Sequence, residues 1–131
     1  MIPVAALVAW ALNLVLGLTL LRHWSRPPRT VFFHLASACV GLAAWLVFVV
    51  ANGPGWLAWA VFVWLNLTLA LGDVLMVGGW RRRTPEPRPR GARAYVASAR
   101  DALSLRRPVA TAHAVLAPTT LALVLVAALG S

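Results

Sequence analysis

Three ionisable side chains stand alone in apolar surroundings along this 131-residue chain: His34 in VFFHLAS, Asp73 in ALGDVLM and His113 in TAHAVLA. Imidazole changes charge near neutral pH and binds metals through a ring nitrogen, while a carboxylate holds protons or cations. Two histidines and one acid therefore offer three chemistries. They can clasp helices in register through hydrogen bonds, pass a proton or cation with Asp73 as the titrating group, or hold haem b or a divalent metal with His34 and His113 as ligands.

Helical rise brings these residues to a common depth. Asp73 precedes Arg81 by about 12 Å along a helix, His34 follows Arg29 by about 8 Å, His113 follows Arg107 by about 9 Å, and Asn13 precedes Arg22 by about 13 Å. Asn66 shares a helix face with Ala70 and Asp73. Small residues continue the same stripes: Gly17 after Asn13, Ala38 and Gly41 after His34, Ala117 after His113. Such stripes let helices approach closely, so the expectation is a buried polar cluster of Asp73, His34, His113, Asn13 and Asn66 facing inward. For haem the two histidines would approach iron from opposite sides, Gly41 and Ala117 leaving room and Arg26, Arg29, Arg106 and Arg107 reaching the propionates. A carboxylate at that depth counts against a porphyrin face, whereas a smaller ion held by His34, His113 and Asp73 lacks any motif spacing.

The elements that must position these groups follow from composition. Hydrophobic residues make up 61% of the chain and charged residues 11%, and the mean hydropathy is +0.80, outside the range of soluble domains. Four apolar runs, 3–21, 31–51, 56–80 and 109–130, are each long enough to cross a hydrocarbon layer about 30 Å thick. Backbone in lipid must satisfy its own hydrogen bonds, so each run is expected to be a helix. The fold class expected is an all-α membrane protein, four transmembrane helices in an up-down-up-down bundle, with a short cytoplasmic amphipathic helix.

Net charge is +9, carried by twelve basic residues, all of them arginine. Those arginines fall between the first and second runs and between the third and fourth, so the positive-inside rule puts both loops in the cytoplasm and both termini outside. Nucleic-acid binding is not indicated, because the basic segments lack interleaved aromatics and motif spacing. Arginine without lysine, beside abundant Ala, Leu and Val, suggests a GC-rich bacterial genome and hence the inner membrane. The N-terminus lacks a basic n-region, so the first run reads as a retained helix rather than a cleaved signal.

Between the third and fourth runs, residues 84–107 form the longest polar segment. Its first part, TPEPRPRG, reads as an extended linker. From 92 to 107, Tyr95, Val96, Ala99, Ala102 and Leu103 recur at helical spacing, with Arg93, Arg100 and Arg107 on the other face. An amphipathic helix lying on anionic lipid headgroups is expected there. Trp24, Trp56, Trp59 and Trp80 flank the runs as interfacial anchors, and Trp10, Trp45 and Trp64 lie deeper. Pro118 interrupts the last run and frees the carbonyl of Ala114.

Cys39 has no intrachain partner, which excludes disulfide and CxxC chemistry within one chain and leaves it a small apolar residue. His23 reads as interfacial, Asp101 as a surface charge and Glu86 as part of the linker. No hydrolytic triad, phosphate loop or carboxylate pair can be assembled from three acids, so enzyme chemistry of the soluble type is not expected. Small size and an apolar exterior fit a homo-oligomer or an accessory subunit of a larger membrane complex.

Overall fold

The computed structural model describes residues 1–22, 24, 26–85, 87–104 and 107–131. Among these the chain forms five helices and no strand: α1 (Ile2–Leu21), α2 (Arg29–Val50), α3 (Gly55–Arg83), α4 (Ala92–Ala102) and α5 (Pro108–Leu129). Four of them, α1, α2, α3 and α5, are long and apolar enough to cross a membrane. Their bounds lie within three residues of the expected spans, the largest difference being α3, which continues through Arg81, Arg82 and Arg83. Three cations in the last turn complement the partial negative charge of a helix C-terminus, which favours that extension.

Prolines set several of the helix starts. Pro108 occupies the first turn of α5, where its missing N–H costs nothing, and Pro28 and Pro54 precede α2 and α3 in extended conformation. The α2–α3 turn is tight because Asn52 adopts φ 47°, a left-handed conformation that asparagine tolerates. Gly53 N–H then donates to the Phe48 carbonyl at 2.9 Å, closing the C-terminal turn of α2. Pro118 sits inside a continuous α5. Thr119 and Thr120 donate to the carbonyls of Val115 and Leu116, both at 2.8 Å, and not to that of Ala114.

The long helices form a ring. α1 packs chiefly on α5 and α2 chiefly on α3, and these two pairs join through α1–α2 and α3–α5 contacts, leaving α2 diagonal to α5 and α1 diagonal to α3. At one end the ring closes on an apolar core that includes Ala6, Trp10, Trp45, Leu65 and Val124. Trp45 is fully buried, lies 4.8 Å from the Phe48 ring and donates its indole N–H to the Pro3 carbonyl at 3.0 Å. Trp64 lies 41% exposed, yet its indole N–H donates to the Ser37 carbonyl at 2.9 Å.

Gly41 lets α1 and α3 crowd onto α2. A Cβ there would stand 2.7 Å from the six-membered ring of Trp10 and 3.0 Å from Trp64. Gly41→Ala is therefore expected to destabilise the fold by about 1–3 kcal/mol, the usual cost of overpacking, despite the better helix propensity of alanine. Thermal unfolding in detergent measures this, and an unchanged midpoint would show that Trp10 can swing clear.

α4 is shorter than the sequence pattern suggests: it ends at Ala102, with Leu103 and Ser104 already in a turn and residues 105 and 106 outside the described set. Its packed face is made of small residues. Ala94, Ser98 and Ala102 are buried, whereas Tyr95, Val96 and Leu103 are about half exposed. Small residues allow α4 to lie close against α3 and α5, and the large apolar ones turn outward. The Thr111 hydroxyl, within 2.8–3.1 Å of the carbonyls of Ala102, Ser104 and Arg107, ties the segment after α4 to the start of α5.

Candidate paired-histidine site

His34 and His113 come from diagonal helices and still meet, their ring centres 6.4 Å apart and their planes at 81°. Each ring is held by the neighbour within its own helix pair. His34 Nδ1 lies 3.0 Å from the Thr68 carbonyl on α3, and His113 Nδ1 lies 3.1 Å from the Asn13 carbonyl on α1. A carbonyl can only accept, so Nδ1 carries the proton and donates in both rings. Nε2 is thereby left as the basic nitrogen, the arrangement that orients histidines toward metals.

Glycines seat both rings. A Cβ on Gly72 would stand 3.2 Å from Cε1 of His34, and a Cβ on Gly17 would stand 3.2 Å from Cε1 of His113. In each case the glycine lies one helical turn beyond the residue whose carbonyl takes the imidazole proton: Thr68 and Gly72 on α3, Asn13 and Gly17 on α1. The four positions form two matching half-sites, one per helix pair. Sequence reading singled out Gly17 as part of a small-residue stripe, but it passed over Gly72 and the carbonyl of Thr68, because the helix partner of a histidine is not encoded by its own neighbours.

A cavity of about 1150 Å³ surrounds the pair, slightly larger than the roughly 300–1,000 Å³ usual for ligand sites. Apolar side chains line its depth, including Trp10, Leu65, Leu69 and Met76, and its opposite end is lined by Arg26, Arg82, Arg83 and Arg107. Asp101 reaches Arg83 at 2.7 Å and Arg107 at 3.5 Å, and the Arg82 guanidinium lies 4.4 Å from the Trp24 ring centre. Asp101 is thus a surface charge that bridges two guanidiniums. Arg29 is exposed and does not line the cavity, and Arg106 lies outside the described residues.

The expected five-residue polar cluster is only partly assembled. Asn13 meets His113 through its backbone carbonyl, and its side-chain Oδ1 is buried without a hydrogen-bond partner among the described residues. Asp73 lines the same cavity, but its hydrogen bonds, 3.4 and 3.5 Å, come from the Tyr95 hydroxyl on α4. Asn66 faces outward and donates to the Phe62 carbonyl of its own helix at 2.8 Å, which relieves the cost of an exposed amide. No set of three His, Cys, Asp or Glu side chains that could hold a bare metal ion exists among the described residues. Cys39 is exposed on α2. Arg93 and Arg100 are exposed on α4.

Tyr95 reports on Asp73. The carboxylate charge disfavours phenolate, so the phenol is pushed above its ordinary value near 10, with smaller upward contributions from burial and from the hydrogen bond itself. Any stability linked to the neutral phenol is present below the unfolded-state pKa and is lost as pH rises through the folded one. The chain contains a single tyrosine. Ultraviolet titration of tyrosinate should therefore show one late transition that moves to lower pH in Asp73→Asn, and an unmoved transition would mean the two groups do not interact.

Fold and site together define a small all-helical protein with four helices suited to crossing a membrane and a paired-histidine cavity toward its arginine-rich end. Comparison with protein-family profiles, with curated proteins and with solved structures finds no significant match to the chain.

Proposed function

We propose that this protein is a membrane-embedded b-type haem protein in which His34 and His113 would hold the iron. The observation that carries the reading is the histidine geometry. Both imidazoles line one cavity with their ring centres 6.4 Å apart, so a single group held between them would be within reach of both. Both Nδ1 atoms are engaged by backbone carbonyls, so each ring offers Nε2. Two protein ligands suit iron whose other four positions a macrocycle fills, whereas a bare divalent ion needs more donors than the described residues supply. The engagement of Asp73 by Tyr95 reduces the conflict between a carboxylate and a porphyrin face.

When bound, such a group supplies one-electron redox chemistry. The chain's own part is to orient both imidazoles through the Thr68 and Asn13 carbonyls, to exclude water with the apolar walls, and to set charge at the arginine end. A second reading, proton or cation handling by Asp73, is favoured by the place of its carboxylate in the cavity wall beside the Tyr95 hydroxyl. Flux into liposomes that is unchanged by Asp73→Asn would remove it.

The chain runs up-down-up-down in a bacterial inner membrane, with the arginine loops in the cytoplasm and both termini outside. Arginine placement supports this orientation, and the bond from Trp45, late in α2, to Pro3 at the start of α1 supports the antiparallel course of these two helices. α4 rests at the inner surface with Tyr95, Val96 and Leu103 toward acyl chains and Arg93 and Arg100 toward anionic headgroups, an arrangement supported by their common exposure. The broad apolar exterior suits a second copy or a larger membrane assembly as neighbour.

Purified protein made with adequate haem supply tests the main reading. A six-coordinate low-spin absorption spectrum with one haem per chain is expected, and colourless, iron-free protein that also fails to take up added haem would overturn it.

A further inference from the structure

We propose that the arginine end of the cavity selects a ligand bearing two carboxylates on one edge of a flat apolar body, and so sets which way a macrocycle sits between the histidines. This rests on the haem reading above. Four guanidiniums, from Arg26, Arg82, Arg83 and Arg107, line the cavity together with two carboxylates, Asp73 and Asp101. The guanidiniums outnumber the carboxylates, so this end of the cavity favours an anionic edge. The arginines come from different segments: Arg26 from the α1–α2 connection, Arg82 and Arg83 from the last turn of α3, and Arg107 from just before α5.

Several of these cations are held in place by the protein itself. Asp101 grips Arg83 at 2.7 Å and lies 3.5 Å from Arg107, so one carboxylate holds two guanidiniums near each other across the ends of α3 and α5. One negative charge cannot neutralise both, and each guanidinium retains further N–H donors for a second acceptor. The Trp24 ring lies against Arg82 without neutralising it. The rest of the cavity, by contrast, includes apolar wall residues such as Leu69 and Met76. A ligand matching this distribution is apolar where it meets the imidazoles and dianionic at one edge.

Haem and its dimethyl ester separate the two claims. Both keep the iron and the macrocycle, but the ester lacks the charges. Titrating the unmodified protein in neutral detergent, with the low-spin band as readout, should show the parent binding at least about tenfold more tightly than the diester, since a hydrogen bond to a charged group contributes about 1.5–3 kcal/mol. In the double variant Arg83→Gln and Arg107→Gln the preference should shrink while the low-spin spectrum of both complexes persists. Equal affinity of the unmodified protein for parent and diester would overturn this inference and leave the haem reading standing. If neither compound gives a low-spin complex, both fall. Adding an anionic phospholipid supplies the rival occupant: if it lowers the affinity for the parent to that for the diester, the guanidiniums serve lipid phosphate and the inference is overturned.

Discussion

His34→Ala and His113→Ala should each abolish the six-coordinate low-spin spectrum and weaken haem binding by roughly a hundredfold or more, because removing even the outer partners of metal ligands costs about 10–100-fold. The two rings are not interchangeable spares. They approach from diagonal helices, and each is held by a carbonyl and a glycine of a different helix pair. If haem is held as proposed, loss of one imidazole would leave a single protein residue to hold it, and the remaining spectrum should be high-spin. The fold itself should survive, since each deletion removes one hydrogen bond that in a membrane interior contributes about 0.6 kcal/mol. Absorption spectra of both variants, with thermal unfolding of the haem-free protein as control, check this. Retention of the low-spin spectrum in both would mean the histidines do no more than clasp helices.

Trp45→Ala should have the opposite profile, a large loss of stability with little change in spectrum. Trp45 is fully buried, packs on Phe48 and bonds to Pro3 across to α1. Truncating a buried tryptophan typically costs about 3–5 kcal/mol, because the cavity left behind collapses only partly. His34 lies eleven positions away on the same helix, about 16 Å along its axis, so the ligand geometry is remote from the damage. Trp45→Phe should recover most of the packing and lose only the N–H bond, worth about 1 kcal/mol. Detergent unfolding midpoints rank the three proteins, and similar midpoints would place the weight of the core elsewhere, in Trp10, Leu65 and Val124.

The four long helices and their bounds were legible along the chain because lipid leaves the backbone little choice: an apolar run of sufficient length has to be helical. A common depth for His34, His113, Asn13 and Asp73 followed from helical rise alone, and three of these four do meet around or beside the histidine pair. Asn66 and Asp73 were harder. A periodic pattern says which residues share a face, but in a helix whose face is apolar all round it does not say which way that face turns. Asn66 turned outward and satisfied itself on Phe62, and Asp73 met Tyr95 from a helix outside the bundle ring. For α4 the periodicity marked an apolar face, but not that the small residues Ala94, Ser98 and Ala102 would be the ones packed against the neighbouring helices.

What the sequence by itself determined is local or cumulative: four apolar segments, the arginines between them, the proline and glycine breaks, and the level of each isolated polar residue, all consequences of composition and of 1.5 Å per residue. Tertiary structure alone decided the pairings. Which carbonyl takes each imidazole proton, which glycine seats each ring, that Asp101 joins Arg83 to Arg107, and that two histidines 79 positions apart come within 6.4 Å depend on how helix surfaces interlock. That interlocking is set by side-chain shape across neighbouring helices, and no single segment carries it.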